Sequence, residues 1–169
     1  MNKRGQFYLI AAIIIISATV GFFVVSNYVS SEQNSNIYYQ KDEIAIESQR
    51  VINYGVFNHN TNAQMEKNLY SLANLYINSN QQNNWYFIFN GTNGLNFTAY
   101  QSFPATVQVG NSQIGIPKEA VYSKYLNSAG STLNVIINNY DYTFPVSGEN
   151  FFYIISGQSG GQNYTISGP

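Results

Sequence analysis

The chain has 169 residues, which suits one domain plus an appendage, and its net charge of -1 excludes the strong basic field that nucleic acid binding relies on. Charged residues make up only 9% of it, against roughly 25% in ordinary soluble domains, so Tyr and Asn take the surface role that Lys and Glu usually fill. With no cysteine there is neither a disulfide nor a thiolate metal site, and the single histidine, His59, excludes a two-histidine metal or relay site within one chain.

The N-terminal stretch carries Lys3 and Arg4, then the most apolar run in the chain. From Phe7 to Val25, "FYLIAAIIIISATVGFFVV", there is no charge and no proline. A helix of that length reaches about 28 Å, close to the roughly 30 Å hydrocarbon core of a bilayer. Helix is the open-chain way to satisfy backbone groups in lipid, so the isoleucines do not argue for strand. Ser17 and Thr19 can bond back to carbonyls one turn earlier, and Gly21 permits close approach of another helix. Lys3 and Arg4 precede the span and the first charge after it is Glu32. The positive-inside rule therefore puts the N-terminus in the cytoplasm and residues from about Ser26 onward outside. A cleaved secretory signal would have a shorter apolar region, typically about 7–15 residues, and a small-residue cleavage site. Here the run is longer and the site near Ser26 is poor, so the chain reads as anchored.

Next comes "SSEQNSN" (Ser30 to Asn36), polar but without Gly or Pro, either a linker or a solvated turn of a continuing helix. From Ile37 the pattern is helical: Ile37, Ile44 and Val51 recur every seven residues, with Tyr38, Ala45 and Ile52 beside them. Glu47 can reach Arg50 at i,i+3, and Gly55 is the expected terminator. A second helix follows, with Thr61 and Gln64 at capping-box spacing and a stripe of Met65, Leu69, Leu72 and Tyr76. The Asn/Ser/Gln cluster from Asn78 to Asn84 ends it.

After Trp85 the period switches to two. Strands are expected at 86–89, 95–100, 106–109, 113–116, 133–137, 140–144, 150–155 and 163–166, with hairpin loops at "NGTNG", "GNS" and Asn138-Asn139. Asparagines tolerate the positive φ that a type I′ turn demands. Helices first and strands second make the class α+β, with an antiparallel β domain of about seven or eight strands arranged as a sandwich or bent sheet. The segments are a basic leader at 1–5, a transmembrane or assembly helix at 6–29, a linker and two helices at 30–80, and an extracytoplasmic β domain at 84–169.

Catalytic chemistry finds little support. Asp42, Glu43 and Glu47 fit a solvated helix face, and Glu119, Asp141 and Glu149 are widely separated in the β domain. No calcium-loop motif occurs, "NHNTN" reads as a turn and N-cap, and His59 reads as an exposed loop residue, so no metal or cofactor is expected. A nucleophilic serine would have only His59 for a base. Three N-x-[ST] tripeptides, at Asn90, Asn96 and Asn163, fall in the portion expected outside and are glycosylation candidates. Asn96 would share a solvated strand face with Thr98 and Tyr100. The aromatics Trp85, Tyr86, Phe87, Phe89, Phe151, Phe152 and Tyr153 read as core, with sugar stacking the lesser reading.

Lys3, Arg4, Gly5 and Gln6, followed at once by an apolar helix, resemble the class III signal of archaeal type IV pilins and pilin-like proteins. The resemblance implies a prepilin-type peptidase that cuts between Gly5 and Gln6, so that Gln6 begins the mature subunit. It implies copies of the chain associating through residues 6–29, while the exclusion of nucleic acid rests on the net charge alone. The pattern departs at Ile10, where many pilins carry a Glu at the fifth mature position. "RVINYGVFN", "WYFIFNGT" and "ENFFYIIS" also resemble segments of short uncharacterised archaeal membrane-anchored proteins, which implies a topology and no activity. The expected function is a non-enzymatic, single-pass cell-surface protein of pilin-like type. The alternative is a permanently anchored module whose β domain binds glycan or another surface protein.

Overall fold

A computed structural model describes residues 3–126, 131–146, 151–159 and 162–169, with side chains at 13–20, 37–126, 131–146, 151–158 and 163–169. The chain divides into two compact units, 1–36 and 37–169.

Helix α1 runs from Lys3 to Phe57. The polar stretch from Ser30 to Asn36 is helical throughout, so of the two readings offered for it the continuing helix is observed and the linker is not. Nothing in it blocks an i→i−4 bond, since it holds neither Pro nor Gly, and the two expected helices are one. The expected span at 6–29 falls mostly on side chains outside the described residues. Among the described residues no helix is long and apolar enough to cross a membrane. The described part of that run, Ile13 to Val20, is exposed at every position. Thr19 Oγ1 donates to the Ile15 carbonyl at 2.8 Å, as the sequence led one to expect.

Gly55 does not end the helix. It is buried two residues before the end, where a Cβ would lie 2.2 Å from Met65 Cε and 2.8 Å from Met65 Sδ. Its missing side chain lets the next helix approach. Termination comes from His59, at φ +52, with His59 N–H donating to Val56 (3.1 Å) and Asn60 N–H to Gly55 (2.9 Å). That bond pair is a Schellman motif with histidine in the left-handed position that glycine usually takes. Gly55→Val is therefore expected to destabilise by about 1–3 kcal/mol through overpacking against Met65. In thermal unfolding Met65→Ala should restore part of that loss, and strict additivity of the two would refute the contact.

Helix α2 (Asn62–Ser79) begins on the expected capping box: Gln64 N–H donates to Thr61 Oγ1, and Thr61 N–H donates to Gln64 Oε1. Its inner face is Met65, Leu69, Ala73, Tyr76 and Ile77, while Leu72 is half-buried at the margin.

All strand pairs between named strands are antiparallel, and the described residues form two sheets. One has the order β5-β2-β1-β8-β9, built from β1 (Asn84–Gly91), β2 (Gly94–Tyr100), β5 (Val121–Leu126), β8 (Phe151–Ser159) and β9 (Gln162–Gly168). The other has the order β4-β3-β6-β7, built from β3 (Val107–Val109), β4 (Ser112–Ile114), β6 (Thr132–Ile137) and β7 (Tyr140–Pro145). The class is α+β. Eight strands match expected segments, and β5, "VYSKYL", is additional. It is an edge strand without a fully buried side chain, so it carries no alternating apolar signature. Asn138 and Asn139 take φ +49 and +70, the expected tight turn, between Ile137 and Tyr140.

The five-stranded sheet is apolar on both faces because both are covered. Tyr86, Ile88, Phe97 and Ile154 pack toward Val107, Val135, Ile137 and Phe144 of the smaller sheet. Trp85, Phe87, Phe89 and Tyr153 pack toward Ile44, Leu69, Ala73 and Ile77 of the helices. All seven aromatics read as core are buried. The solvated face expected for Asn96, Thr98 and Tyr100 is not solvated. All three are buried, with Asn96 7% exposed, and β2 contacts α2 where the sequence pattern predicted water.

Candidate functional site

Among the described residues, a polar cluster is organised by Glu66, a residue that the sequence pattern does not single out. Glu66 follows Met65 on α2, so it sits at the rim of the helix–sheet interface, half-buried. Its Oε2 accepts from Thr92 N–H at 2.8 Å and from Thr92 Oγ1 at 2.7 Å. Its Oε1 accepts from Asn96 Nδ2 at 3.2 Å and from the Tyr125 hydroxyl. One carboxylate thus ties α2 to the β1–β2 turn, to β2 and to the edge strand β5. The partners lie 26, 30 and 59 residues away, and no local pattern announces them.

Burial pushes the Glu66 carboxyl up, but hydrogen bonds from Tyr125, Thr92 and Asn96 outweigh it and hold the group below its ordinary value. The same bond raises the Tyr125 hydroxyl, because ionising it would remove the proton that Glu66 accepts. Thr92, Asn96 and Tyr125 supply donors but no second acid of the kind that acid–base work requires. Chemically the cluster is a clasp. Since its folded-state value is lowered, the clasp contributes fully above the unfolded value near 4.5 and is lost as pH falls through the lower folded value. Glu66→Gln is expected to cost about 1–2 kcal/mol at neutral pH, discounted for the open setting. The gap from the parent should narrow between neutral pH and about pH 3, because the carboxyl of the unfolded chain takes up its proton first and the lowered folded one follows. Urea unfolding at both pH values reads this, and a gap that does not depend on pH would refute it.

The other ionisable groups are dispersed. Asp42, Glu43, His59 and Asp141 are exposed, and Glu149 lies outside the described residues. Glu47 pairs with Arg50 at 2.7 Å, at the expected i,i+3 spacing. Glu119, at φ +56, pairs with its neighbour Lys118 at 2.9 Å on the surface. Burial pushes the Tyr76, Tyr86 and Tyr153 hydroxyls up to about 12, so none supplies a phenolate near neutral pH. Among the described residues no three His, Asp or Glu side chains gather to hold a metal ion. A hollow of about 560 Å³ beside α1 is lined by Ala45, Ser48, Gln49, Ile52, Phe151 and Phe152 among others, with Arg50 at its margin held by Glu47.

Two exposed apolar surfaces stand out. Ile13, Ile14, Ile15, Ile16 and Val20 are each 55–65% exposed. Further along α1, Tyr39, Ile46 and Phe57 are 74%, 54% and 83% exposed. Intervals of seven and eleven residues bring these three to one side of a helix, opposite the buried Ile37 and Ile44.

Of the leader residues, Lys3, Arg4, Gly5 and Gln6 belong to the first turns of α1, and their side chains lie outside the described residues. The three glycosylation candidates part company. Asn90 is half-buried and engaged in β1, Asn96 is buried under the Glu66 clasp, and Asn163 is exposed on β9. No family model, no curated protein and no solved structure matches this chain.

Proposed function

We propose that the chain is a non-enzymatic, membrane-anchored cell-surface protein, working as a structural subunit of pilin-like type. The observation that carries this reading is the stretch from Ile13 to Val20, apolar all round and exposed all round. A helix with no polar face is stable only under cover, from lipid tails or from other helices. The single serine and threonine do not change that, because Thr19 already spends its hydroxyl on the Ile15 carbonyl. The outward line of Tyr39, Ile46 and Phe57 offers neighbouring subunits further contact area, and a surface poor in charge suits crowded packing.

On this reading Lys3 and Arg4 hold the N-terminus in the cytoplasm until a prepilin-type peptidase cuts between Gly5 and Gln6. Removing two charges frees the apolar helix to leave lipid and pack against copies of itself. Mass spectrometry of the surface-exposed form should find Gln6 as the first residue, and Gly5→Leu should leave the longer form accumulating in the membrane. An intact Met1 to Gly5 on the surface, extractable only with detergent, would overturn the subunit reading in favour of a permanently anchored binding module.

A further inference from the structure

We propose that Asn163, of the three N-x-[ST] tripeptides, is the one that carries an N-linked saccharide in the folded protein. The inference rests on the extracytoplasmic reading above, and it turns on how the fold treats each acceptor.

The tripeptide needs a reachable asparagine amide and a hydroxyl two residues on. At Asn96 both are removed. The amide is buried and donates to Glu66, and the Thr98 hydroxyl is fully buried, donating to Asn96 Oδ1 at 2.8 Å and meeting Ser123 Oγ at 3.0 Å. At Asn90 the hydroxyl is the obstacle. Thr92 gives both its Oγ1 proton and its N–H to the Glu66 carboxylate, and a charge-assisted bond is not readily exchanged. Gly91, between them, lies against the same carboxylate, 3.1 Å from where a Cβ would be. Asn90 also sits in β1, a central strand of its sheet, where it pairs with Leu95 of β2.

Asn163 differs on each count. It is exposed, and β9 is an edge strand paired only with β8 among the described residues. Its own partner in that register, Gln158, is exposed too. The Thr165 hydroxyl is half-buried and meets two neutral hydroxyls, Ser156 at 3.2 Å and Tyr142, contacts that exchange at little cost. An extended edge segment can enter a transferase without breaking a buried ladder.

The reaction would be ordinary group transfer. Asn163 Nδ2 bonds to the anomeric carbon of a saccharide carried on a polyisoprenyl phosphate or diphosphate. The anomeric C–O bond breaks with its electron pair going to the departing lipid phosphate, and one amide proton passes to a base on the transferase. Nothing is oxidised or reduced.

The test uses the full chain in a glycosylating host, read by intact mass and peptide mapping. A reporter variant, Asn60→Thr, makes Asn58 an acceptor in the turn between the helices, where its exposed amide donates to the Tyr54 carbonyl at 2.7 Å in a solvent-open bond that exchanges at little cost, unlike the buried, charge-assisted one at Asn96. The expected result is one saccharide at Asn163, absent in Asn163→Gln and Thr165→Ala and retained in Thr165→Ser, with Asn90 and Asn96 bare. A saccharide on Asn58 with Asn163 bare overturns this assignment alone. Modification at Asn90 or Asn96 of the folded chain overturns it as well. Both Asn58 and Asn163 bare sinks the extracytoplasmic reading and the saccharide together. A second arm presents purified, folded full chain in detergent to a transferase with its lipid-linked donor. It must again modify Asn163 and neither of the others.

Discussion

Replacing Trp85 with alanine is expected to lower the unfolding free energy by about 3–5 kcal/mol, a large share of the roughly 5–15 kcal/mol that holds a domain folded. Trp85 is fully buried where β1 meets the helices. Its ring stacks on Phe87 with centroids 5.8 Å apart and lies 6.2 Å from Tyr76. Its indole N–H donates to the Asn80 carbonyl at 2.7 Å, just past the end of α2. Alanine leaves a cavity and strands that part-buried carbonyl, and the two costs add. Trp85→Phe keeps a ring in the stack and loses mainly the hydrogen bond, so it should cost about 1–2 kcal/mol. Tyr39→Ala, on the outward line of α1, should fall within about 0.5 kcal/mol. Thermal unfolding followed by far-UV circular dichroism reads all three. Fluorescence will not serve, because Trp85 is the only tryptophan. Equal costs for the alanine and phenylalanine variants would mean that the cavity term is absent and the packing described here is wrong.

Much of this architecture was legible where the signal is local. The capping box at Thr61 and Gln64, the turn at Asn138-Asn139 and the i,i+3 pair of Glu47 with Arg50 all depend on residues within four positions of each other. The aromatic runs around Trp85 and Phe151 were legible as core because a strand apolar at successive positions must be covered on both faces. What failed was what tertiary contact decides. Period two at Leu95 to Tyr100 identified two strand faces correctly but assigned Asn96, Thr98 and Tyr100 to water. Their polar side chains gave no hint that α2 lies there and that Glu66 satisfies the Asn96 amide. Gly55 looked like a stop because glycine usually is one. Its role as a gap for Met65 depends on a residue in another helix. Strand β5 escaped notice because an edge strand owes its existence to a neighbour's backbone rather than to its own apolar pattern.

Ile14→Asp combined with Ile15→Asp is expected to abolish stable membrane retention. On the proposed reading these side chains lie in lipid or against other apolar helices, and both are more than 60% exposed within the chain itself. Each exchange swaps a favourable insertion term for an unfavourable one near the middle of the run, so the pair costs about 6–8 kcal/mol. That corresponds to roughly four to six powers of ten in partitioning. Alkaline extraction should move the variant from the membrane pellet to the soluble or degraded fraction. Ser17→Ala, which removes a hydroxyl and no apolar surface, should leave the parent distribution unchanged. The β domain does not enter this argument, because its cores are built from residues 37 onward. A loss of retention with native near-ultraviolet dichroism from the tyrosines would therefore assign the defect to the helix alone. If the double variant pellets as firmly as the parent, the exposed isoleucines are not what meets the membrane, and the subunit reading loses the observation it stands on.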